Sequence, residues 1–210
     1  MYPLNSSARD YLLKAARSTI EAYLRSGVRP IPDPPSAREL LQKRGAFVTL
    51  YLGGRLRGCV GYAWPLTPLY RAVPECAVSA AVEDRRFRPL HLKDLPETEI
   101  ELSVLSGLDE VGGASDILVG THGLLVSLET RRGLLLPTVA VEHGWTPEQF
   151  LEQTCLKAGL SRQAWKNGAT VERFTATVFR EKVKSGELSA EGFRLMLNSK
   201  VNCRSRTGAT

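Results

Sequence analysis

The chain contains few of the features that mark membrane-bound, exported or metal-binding proteins. None of its uninterrupted apolar runs approaches the roughly 20 residues that span a bilayer. The first residues lack the basic and apolar regions of a signal peptide, so we expect a cytoplasmic protein. The four cysteines are scattered, without a Cys-x-x-Cys pair or a cluster of Cys and His at zinc-ligand spacing. We therefore expect no metal site, and free thiols in a reducing cytosol.

Aromatic residues and a concentrated charge of one sign are also scarce. Aromatic residues make up 7% of the chain, and no stacking platform of them lies beside a basic groove. The formal net charge of +6 is spread along the sequence and favours acidic partners only weakly, so we do not expect direct binding to nucleic acid. With 43% hydrophobic residues, the 210-residue chain is typical of a globular protein with one large domain or two small ones.

The most informative segment is a hairpin predicted around Gly53-Gly54. Apolar, β-branched and aromatic runs flank this pair, which can adopt the positive φ angles of a tight turn. With a two-residue turn, Arg57 lies opposite Leu50 and Cys59 opposite Val48. The arginine and the cysteine then share one face of the strand, beside apolar neighbours. A guanidinium in such surroundings costs free energy unless something pairs with it, so we look for function here.

Helical and strand patterns follow one another along the rest of the chain without βαβ order, which indicates an α+β fold. We predict a first helix capped by Ser6 or Ser7 and ended by Gly27, and a capping box over residues 36–39. Further helices are predicted from Thr67, from Thr146, around residues 163–165 and over residues 188–197. Strands are predicted over residues 99–105, 124–128, 134–136 and 173–179.

Residues 56–61, Leu-Arg-Gly-Cys-Val-Gly, closely resemble the Leu-Arg-Gly-Cys-Ile-Gly hallmark of the AMMECR domain family. This family is also called protein A of the AmmeMemoRadiSam system. Further similar segments follow in the expected order at residues 84–87, 100–105, 120–124, 132–137 and 155–160. The resemblance covers roughly residues 12–179, and an ordered set of this length is more specific than any single motif.

Two positions depart from the family pattern. Arg85 stands in place of the usual proline, which frees the φ angle of the loop and adds charge. Thr138 stands where the family often has glutamine. A ligand contact made by that glutamine amide would be altered in this chain.

The resemblance implies an α+β architecture of two unequal lobes with a cleft between them. The larger lobe, residues 1–107 and 171–210, would contain an antiparallel sheet with flanking helices, and the hallmark hairpin near the cleft. Residues 108–170, where the chain becomes rich in glycine, would form the smaller α+β lobe. The resemblance also implies a Memo-type protein and a radical S-adenosylmethionine enzyme as partners. It names no reaction and no cofactor.

Cys59 has two interpretations. The adjacent Arg57 favours the thiolate, which would make Cys59 a catalytic nucleophile or a redox thiol. Alternatively, Cys59 is a small buried hydrophobe, as free cysteines most often are. Arg57 could hold a carboxylate or a phosphate through two hydrogen bonds, beside the bare backbone of Gly58. The internal carboxylates that could pair with Arg57 instead are Glu75, Glu83 and Asp84.

His122 is the second catalytic candidate, because it stands in a glycine-rich loop where an imidazole can act as acid or base. The alternative is a loop histidine satisfied by a backbone carbonyl. Arg86 and Arg132 are candidate anion contacts, although arginines in charged turns are usually solvated. Asp84 could orient Arg57 or Arg86, or could serve as a plain cap or loop carboxylate.

The sequence leaves two functions open. The first is an enzyme or enzyme subunit whose interlobe cleft binds a small anionic ligand, with Arg57 and either Arg86 or Arg132 holding the anion. In this hypothesis Cys59 reacts and His122 moves protons. The second is a non-catalytic adaptor for Memo-type and radical S-adenosylmethionine partners, in which the motif only shapes the hairpin.

Overall fold

The computed structural model describes residues 3–181 and the short strand 204–205. The helix predicted over residues 188–197 and the cysteine at position 203 lie outside these residues. The chain divides into two compact units, the first with the residues up to Val104 and those from Thr177, the second with residues 105–176. The sequence placed the smaller lobe at residues 108–170, so the second unit is longer at both ends than we expected.

Antiparallel strands mixed with helices confirm the predicted α+β class. The helices are α1 (Ser6–Ser26), α2 (Leu69–Val82), α3 (Pro137–Glu142) and α4 (Pro147–Lys157). The strands are β1 (Ala46–Leu52), β2 (Arg55–Tyr62), β3 (Thr98–Leu105), β4 (Asp109–Glu110), β5 (Gly123–Leu128), β6 (Arg131–Leu135), β7 (Thr170–Phe174), β8 (Ala176–Arg180) and β9 (Arg204–Ser205). No helix in the described ranges is long and apolar enough to cross a membrane.

The sheet of the first unit has the strand order β8-β3-β1-β2-β9. Strand β1 is antiparallel to β2 and to β3, whereas β9 runs parallel to β2. Helix α2 packs on β1 and β2, and α1 packs on α2. The sheet residues that join these helices in one buried core are Ala46, Val48, Leu50, Val60, Ile100 and Leu102.

The N-cap of helix α1 lies one residue before the first of the two predicted caps. Its N-cap is Asn5, whose Oδ1 accepts a hydrogen bond from the Ala8 N–H at 2.8 Å, so the prediction of Ser6 or Ser7 was wrong. Asparagine and serine are comparable N-caps, so three adjacent candidates could not be ranked from the sequence. The helix ends at Gly27, which has a φ angle of 72°, as predicted.

The capping box predicted at residues 36–39 does not form. Arg38–Leu40 is a single 3₁₀ turn, and its N-cap, Ala37, provides no side-chain hydrogen bond. The Glu39 Oε1 accepts a hydrogen bond from the Asn5 Nδ2 at 2.7 Å instead. A contact between segments distant in sequence therefore replaces the local one that the pattern predicted.

The second unit has its own four-stranded sheet, in the order β4-β7-β5-β6, and its own core. Helix α4 begins as predicted, with Thr146 as its cap and Pro147 in its first turn. Gln149 also completes a capping box with Thr146, which the sequence analysis did not predict. The buried residues at the centre of this core are Leu124, Val126, Phe150, Leu151, Cys155 and Val171.

The single strand predicted over residues 173–179 is two strands, β7 and β8, which belong to different sheets. Thr175 separates them. Its N–H donates to the Ser106 Oγ at 2.9 Å, and its carbonyl accepts a hydrogen bond from the Ser106 N–H at 2.8 Å. The alternation of side chains continues across Thr175, so the pattern does not reveal the change of sheet.

Candidate functional site

The hairpin turn forms as predicted, but the return strand contains a β-bulge. Gly53 and Gly54 have φ angles of 56° and 71°, and Leu52 pairs with Arg55 across the turn. The register then shifts. Tyr51 pairs with Leu56, Leu50 pairs with Gly58, and Arg57 is the additional residue between them.

The bulge corrects the predicted pairing of the motif. Cys59 lies opposite Thr49, not opposite Val48, and Arg57 has no direct partner on β1. Since neighbouring residues on a strand face opposite sides, this shift by one changes the surroundings of Cys59. Its Sγ lies 3.2 Å from the Thr49 Oγ1, whereas Val48 is in the core shared with the helices.

Cys59 is buried and is disulfide-bonded in this structure, so the prediction of a free thiol was wrong for this residue. The prediction is confirmed for Cys76 and Cys155, which are buried thiols outside any disulfide. Burial raises the pKa of the Cys155 thiol above its usual value, with a smaller opposing contribution from a backbone hydrogen bond to Trp165. Cys155 is thus a core residue, as its place on the apolar face of α4 indicated.

Asp84 and Arg86 hold β2 at Cys59. The Cys59 N–H donates to the Asp84 Oδ2 at 2.9 Å. The Arg86 Nη2 donates to the same oxygen at 2.6 Å, and the Arg86 Nε donates to the Asp84 Oδ1 at 2.9 Å. Asp84 therefore has two of the roles considered for it. It orients Arg86, and as a loop carboxylate it also fixes backbone N–H groups.

Asp84 is ionised in this setting although its side chain is only 1% exposed. Burial by itself would raise the pKa of the carboxyl group. The hydrogen bonds from the Arg86 side chain and from the N–H groups of Cys59 and Arg86 outweigh burial, and the net effect lowers the Asp84 pKa. The pair is an internal brace between β2 and the loop after α2.

Arg57 differs from Arg86 because no carboxylate in the described ranges pairs with it. Of the carboxylates we considered, Asp84 is bound to Arg86, and Glu83 forms an ion pair with Arg29. The Arg57 Nη1 is buried and has no hydrogen-bond partner within residues 3–181. A buried unsatisfied donor costs about 1–3 kcal/mol, so an acceptor that reached this atom would be favoured.

Gly58 and Gly61 are explained by internal packing. A Cβ atom at Gly58 would lie 2.0 Å from the carbonyl oxygen of Ala80 in α2. A Cβ atom at Gly61 would lie 2.3 Å from the carbonyl oxygen of Ala46. The motif therefore needs glycine at both positions for the hairpin to contact its neighbours closely.

A buried polar cluster continues from Thr49 along the same face of the sheet, and the sequence analysis missed it. Glu101 pairs with Thr49 across β3 and β1, and its Oε2 accepts a hydrogen bond from the Arg180 Nη2 at 2.7 Å. The Arg180 guanidinium lies 4.7 Å from the centre of the Tyr51 ring. Burial, followed by the charge of Glu101, raises the pKa of Tyr51. The alternation around Glu101 suggested a solvent-facing side chain, yet Glu101 is only 5% exposed.

His122 and Arg132 belong to the second unit and lie near opposite ends of β5. His122 directly precedes this strand, and Arg132, an exposed residue of β6, pairs with Ser127 close to its other end. The His122 Nδ1 accepts a hydrogen bond from the Leu118 N–H at 3.1 Å. Burial and the nearby charge of Arg173 lower the pKa of His122, which favours the neutral imidazole.

The described residues form an α+β protein with two sheets. Its first sheet contains the bulged hairpin with the Leu-Arg-Gly-Cys motif, which the Asp84–Arg86 pair braces. The AMMECR1 family model matches residues 13–179. The chain belongs to the AMMECR1 family, as its motifs predicted.

Several archaeal proteins are similar to this chain over most of its length. A protein of Thermococcus gammatolerans is 42% identical over 199 residues, which cover 89% of this chain and 96% of that protein. A protein of Methanothermobacter thermautotrophicus is 43% identical over 187 residues, covering 85% of this chain and 97% of that protein. The crystal structure of the uncharacterized protein PH0010 from Pyrococcus horikoshii aligns with a TM-score of 0.72 and 39% identity, covering 82% of this chain and 90% of that one.

Proposed function

We propose that this AMMECR1-family protein is a cytoplasmic enzyme or enzyme subunit that binds a small anionic ligand at the Arg57 bulge. The observation that supports this most directly is the buried Arg57 Nη1, which lacks a hydrogen-bond partner within residues 3–181. A guanidinium that is already partly desolvated loses little further hydration when an anion arrives. Carboxylates and phosphates are the groups that guanidinium binds best.

The Asp84–Arg86 brace supports the same proposal indirectly. Because Arg86 is bound to Asp84, the charges of these two residues compensate each other, and Asp84 does not compensate the charge of Arg57. The brace also fixes the backbone at Cys59, two residues after Arg57. A rigid strand keeps the guanidinium in place without further loss of entropy on binding. In this proposal Arg86 acts by holding Asp84, which in turn fixes the backbone at Cys59. The catalytic role of His122 and the anion contact of Arg132, both residues of the second unit, stay predictions.

Cys59 can have a catalytic role only in the reduced protein, in which its disulfide is broken. A thiol reductant would supply two electrons and two protons to the disulfide and release two thiols. The Cys59 thiol would then lie beside the Thr49 hydroxyl, with Arg57 two residues away to favour its thiolate form. Cys59→Ser in the reduced protein tests this step, because a retained activity would remove the thiol from the mechanism.

Titration calorimetry with inorganic phosphate and with citrate tests the anion site. We compare the wild type with Arg57→Gln and with Arg55→Gln, which removes an exposed arginine two residues earlier on the same strand. Saturable binding that weakens about tenfold or more in Arg57→Gln alone is the expected result. Equal weakening in both variants would indicate a general charge effect and would contradict the proposal.

The glycine contacts favour a second candidate, an adaptor for a Memo-type protein and a radical S-adenosylmethionine enzyme. Gly58 and Gly61 face internal carbonyl groups, so much of the motif can be explained by the shape of the hairpin alone. In this case Arg57→Lys lowers the melting temperature but changes neither anion binding nor turnover. Pull-down with the purified partner proteins should then recover complexes with the wild type, and failure to do so would exclude the adaptor.

A further inference from the structure

We infer that the first unit contains a second binding site, for a small zwitterion with an apolar body such as an aromatic α-amino acid. The site is a cavity of about 300 Å³ on the helical side of the unit. Its walls come from α1, from α2, from the end of β2 and from the connector that follows α1. The lining residues on which the argument depends are Pro30, Pro32, Tyr62, Arg71, Pro74 and Glu75.

Two opposite charges of the cavity have no partner in the described part of the chain. Arg71 and Glu75 are one helical turn apart on α2, yet they form no ion pair with each other or with any other residue within 3–181. The Arg71 Nε is buried and lacks a hydrogen-bond partner there. A buried N–H without an acceptor is rare in native structures, and a ligand carboxylate would satisfy it.

The third charged residue of the lining does not compete for this ligand. The Arg29 guanidinium is bound to Glu83 and lies 5.3 Å from the centre of the Tyr23 ring. Its charge is therefore already compensated. Arg71 and Glu75 are therefore the charged lining residues without a partner in the described part of the chain. Arg71 can bind the carboxylate of an amino acid, and Glu75 can bind its ammonium group.

The rest of the lining suits an apolar or aromatic body. Three prolines, together with Val78 and the ring of Tyr62, give the cavity flat apolar surfaces. A volume of about 300 Å³ is at the lower end of the range for ligand pockets, so the ligand is the size of a single amino acid. All of these residues belong to the first unit, and none of them is part of the anion site proposed at Arg57.

Three related probes test the inference by titration calorimetry: L-phenylalanine, 3-phenylpropionate without the ammonium group, and phenethylamine without the carboxylate. We expect saturable binding of L-phenylalanine to the wild type below about 10 mM, and weaker binding of both single-charge probes. Arg71→Gln should weaken L-phenylalanine binding about tenfold or more. Glu75→Gln should reduce the affinity for L-phenylalanine to that for 3-phenylpropionate. Arg88→Gln, an exposed arginine after the same helix, is the matched control and should change nothing.

The outcomes separate this inference from the proposed anion site. If Arg71→Gln does not fold, as judged by circular dichroism, Glu75→Gln and the two single-charge probes still decide the question. Binding of L-phenylalanine that is unaffected by either substitution overturns the inference, as does an absence of saturable binding in the wild type. Arg57→Gln should leave L-phenylalanine binding intact. The experiments can therefore disprove one of the two proposed sites without disproving the other.

Discussion

Asp84 lies beside β2 and Arg57 lies within it, and the two charged side chains differ in the hydrogen-bond partners that they have. Asp84 accepts hydrogen bonds from the side chain of Arg86 and from two backbone N–H groups. Arg57 stands at the bulge with a buried donor that nothing within residues 3–181 accepts. A satisfied buried charge contributes to stability, whereas an unsatisfied one is tolerated at a cost and is more often kept for binding. Asp84 therefore has a structural role, and the unsatisfied donor of Arg57 is what supports the binding role proposed for it above.

Asp84→Asn should lower the free energy of unfolding near pH 7 by about 2–3 kcal/mol, because it removes the carboxylate that accepts charge-assisted hydrogen bonds from Arg86. The folded-state pKa of Asp84 is depressed below its ordinary value of 3.8, so its stabilisation is complete above that pH and is lost as the pH falls through the folded-state pKa. Urea denaturation from about pH 7 to about pH 2 should show the difference between variant and wild type narrowing only below the ordinary value.

Asp10→Asn, at an exposed carboxylate of α1, is the control for this experiment. A difference between wild type and Asp84→Asn that stays constant down to the acid limit would mean that the pKa of Asp84 is not lowered in the folded protein.

At the scale of elements, where a helix or strand begins, ends or bends depends on its local sequence pattern and also on contacts with residues distant in sequence. The Gly53-Gly54 turn was predictable because only glycine pairs readily adopt its φ angles. The bulge at Arg57 was not, since it depends on how closely β2 approaches the Ala80 carbonyl of α2. Thr146 was predictable as a cap because Pro147 follows it, whereas Asn5 had two adjacent serines as competitors.

Part of the candidate site could be predicted from the sequence, and part of it could not. The motif placed Cys59 and Arg57 on one strand, and the segment with Asp84 and Arg86 was recognised as a candidate. Which arginine binds the aspartate could not be predicted, because the answer depends on the path of a loop 25 residues away from Cys59. Glu101 was missed because a charged residue in an alternating strand is usually solvent-facing.

Asn5→Ala should destabilise α1 by about 1 kcal/mol, because the Ala8 N–H and the Glu39 carboxylate both lose a hydrogen-bond partner. Ser6→Ala should cost less than about 0.5 kcal/mol, since this serine lies inside the helix and does not cap it. Chemical denaturation of the two variants measures the difference. A larger loss in Ser6→Ala would contradict the assignment of the N-cap.

At the scale of the whole molecule, the described residues build two cores, and none of these residues belongs to both. The first joins α1 and α2 to β1, β2 and β3, and the second joins α4 to β5, β6 and β7. The sequence analysis expected a smaller lobe at residues 108–170, and the second unit comprises residues 105–176. Strands β7 and β8 look continuous in the sequence, so the pattern does not mark where this unit ends. Each core should respond mainly to substitutions within itself.

Phe150→Ala empties a fully buried position of the second core and should cost about 3–5 kcal/mol there. Hydrogen exchange measured by mass spectrometry should show the largest loss of protection within residues 105–176. Leu102→Ala, at a fully buried position of the first core, should instead accelerate exchange in β1, β2 and β3. Equal acceleration of both regions by Phe150→Ala would mean that the two cores open as one.

The paired hydrogen bonds between Ser106 and Thr175 bring the two ends of residues 105–176 side by side. A segment whose ends meet behaves as a cassette, which recombination can insert into a host protein or remove from it while leaving a short gap to close. The division of this chain into two units is what the insertion of residues 105–176 into a helix-covered sheet would produce.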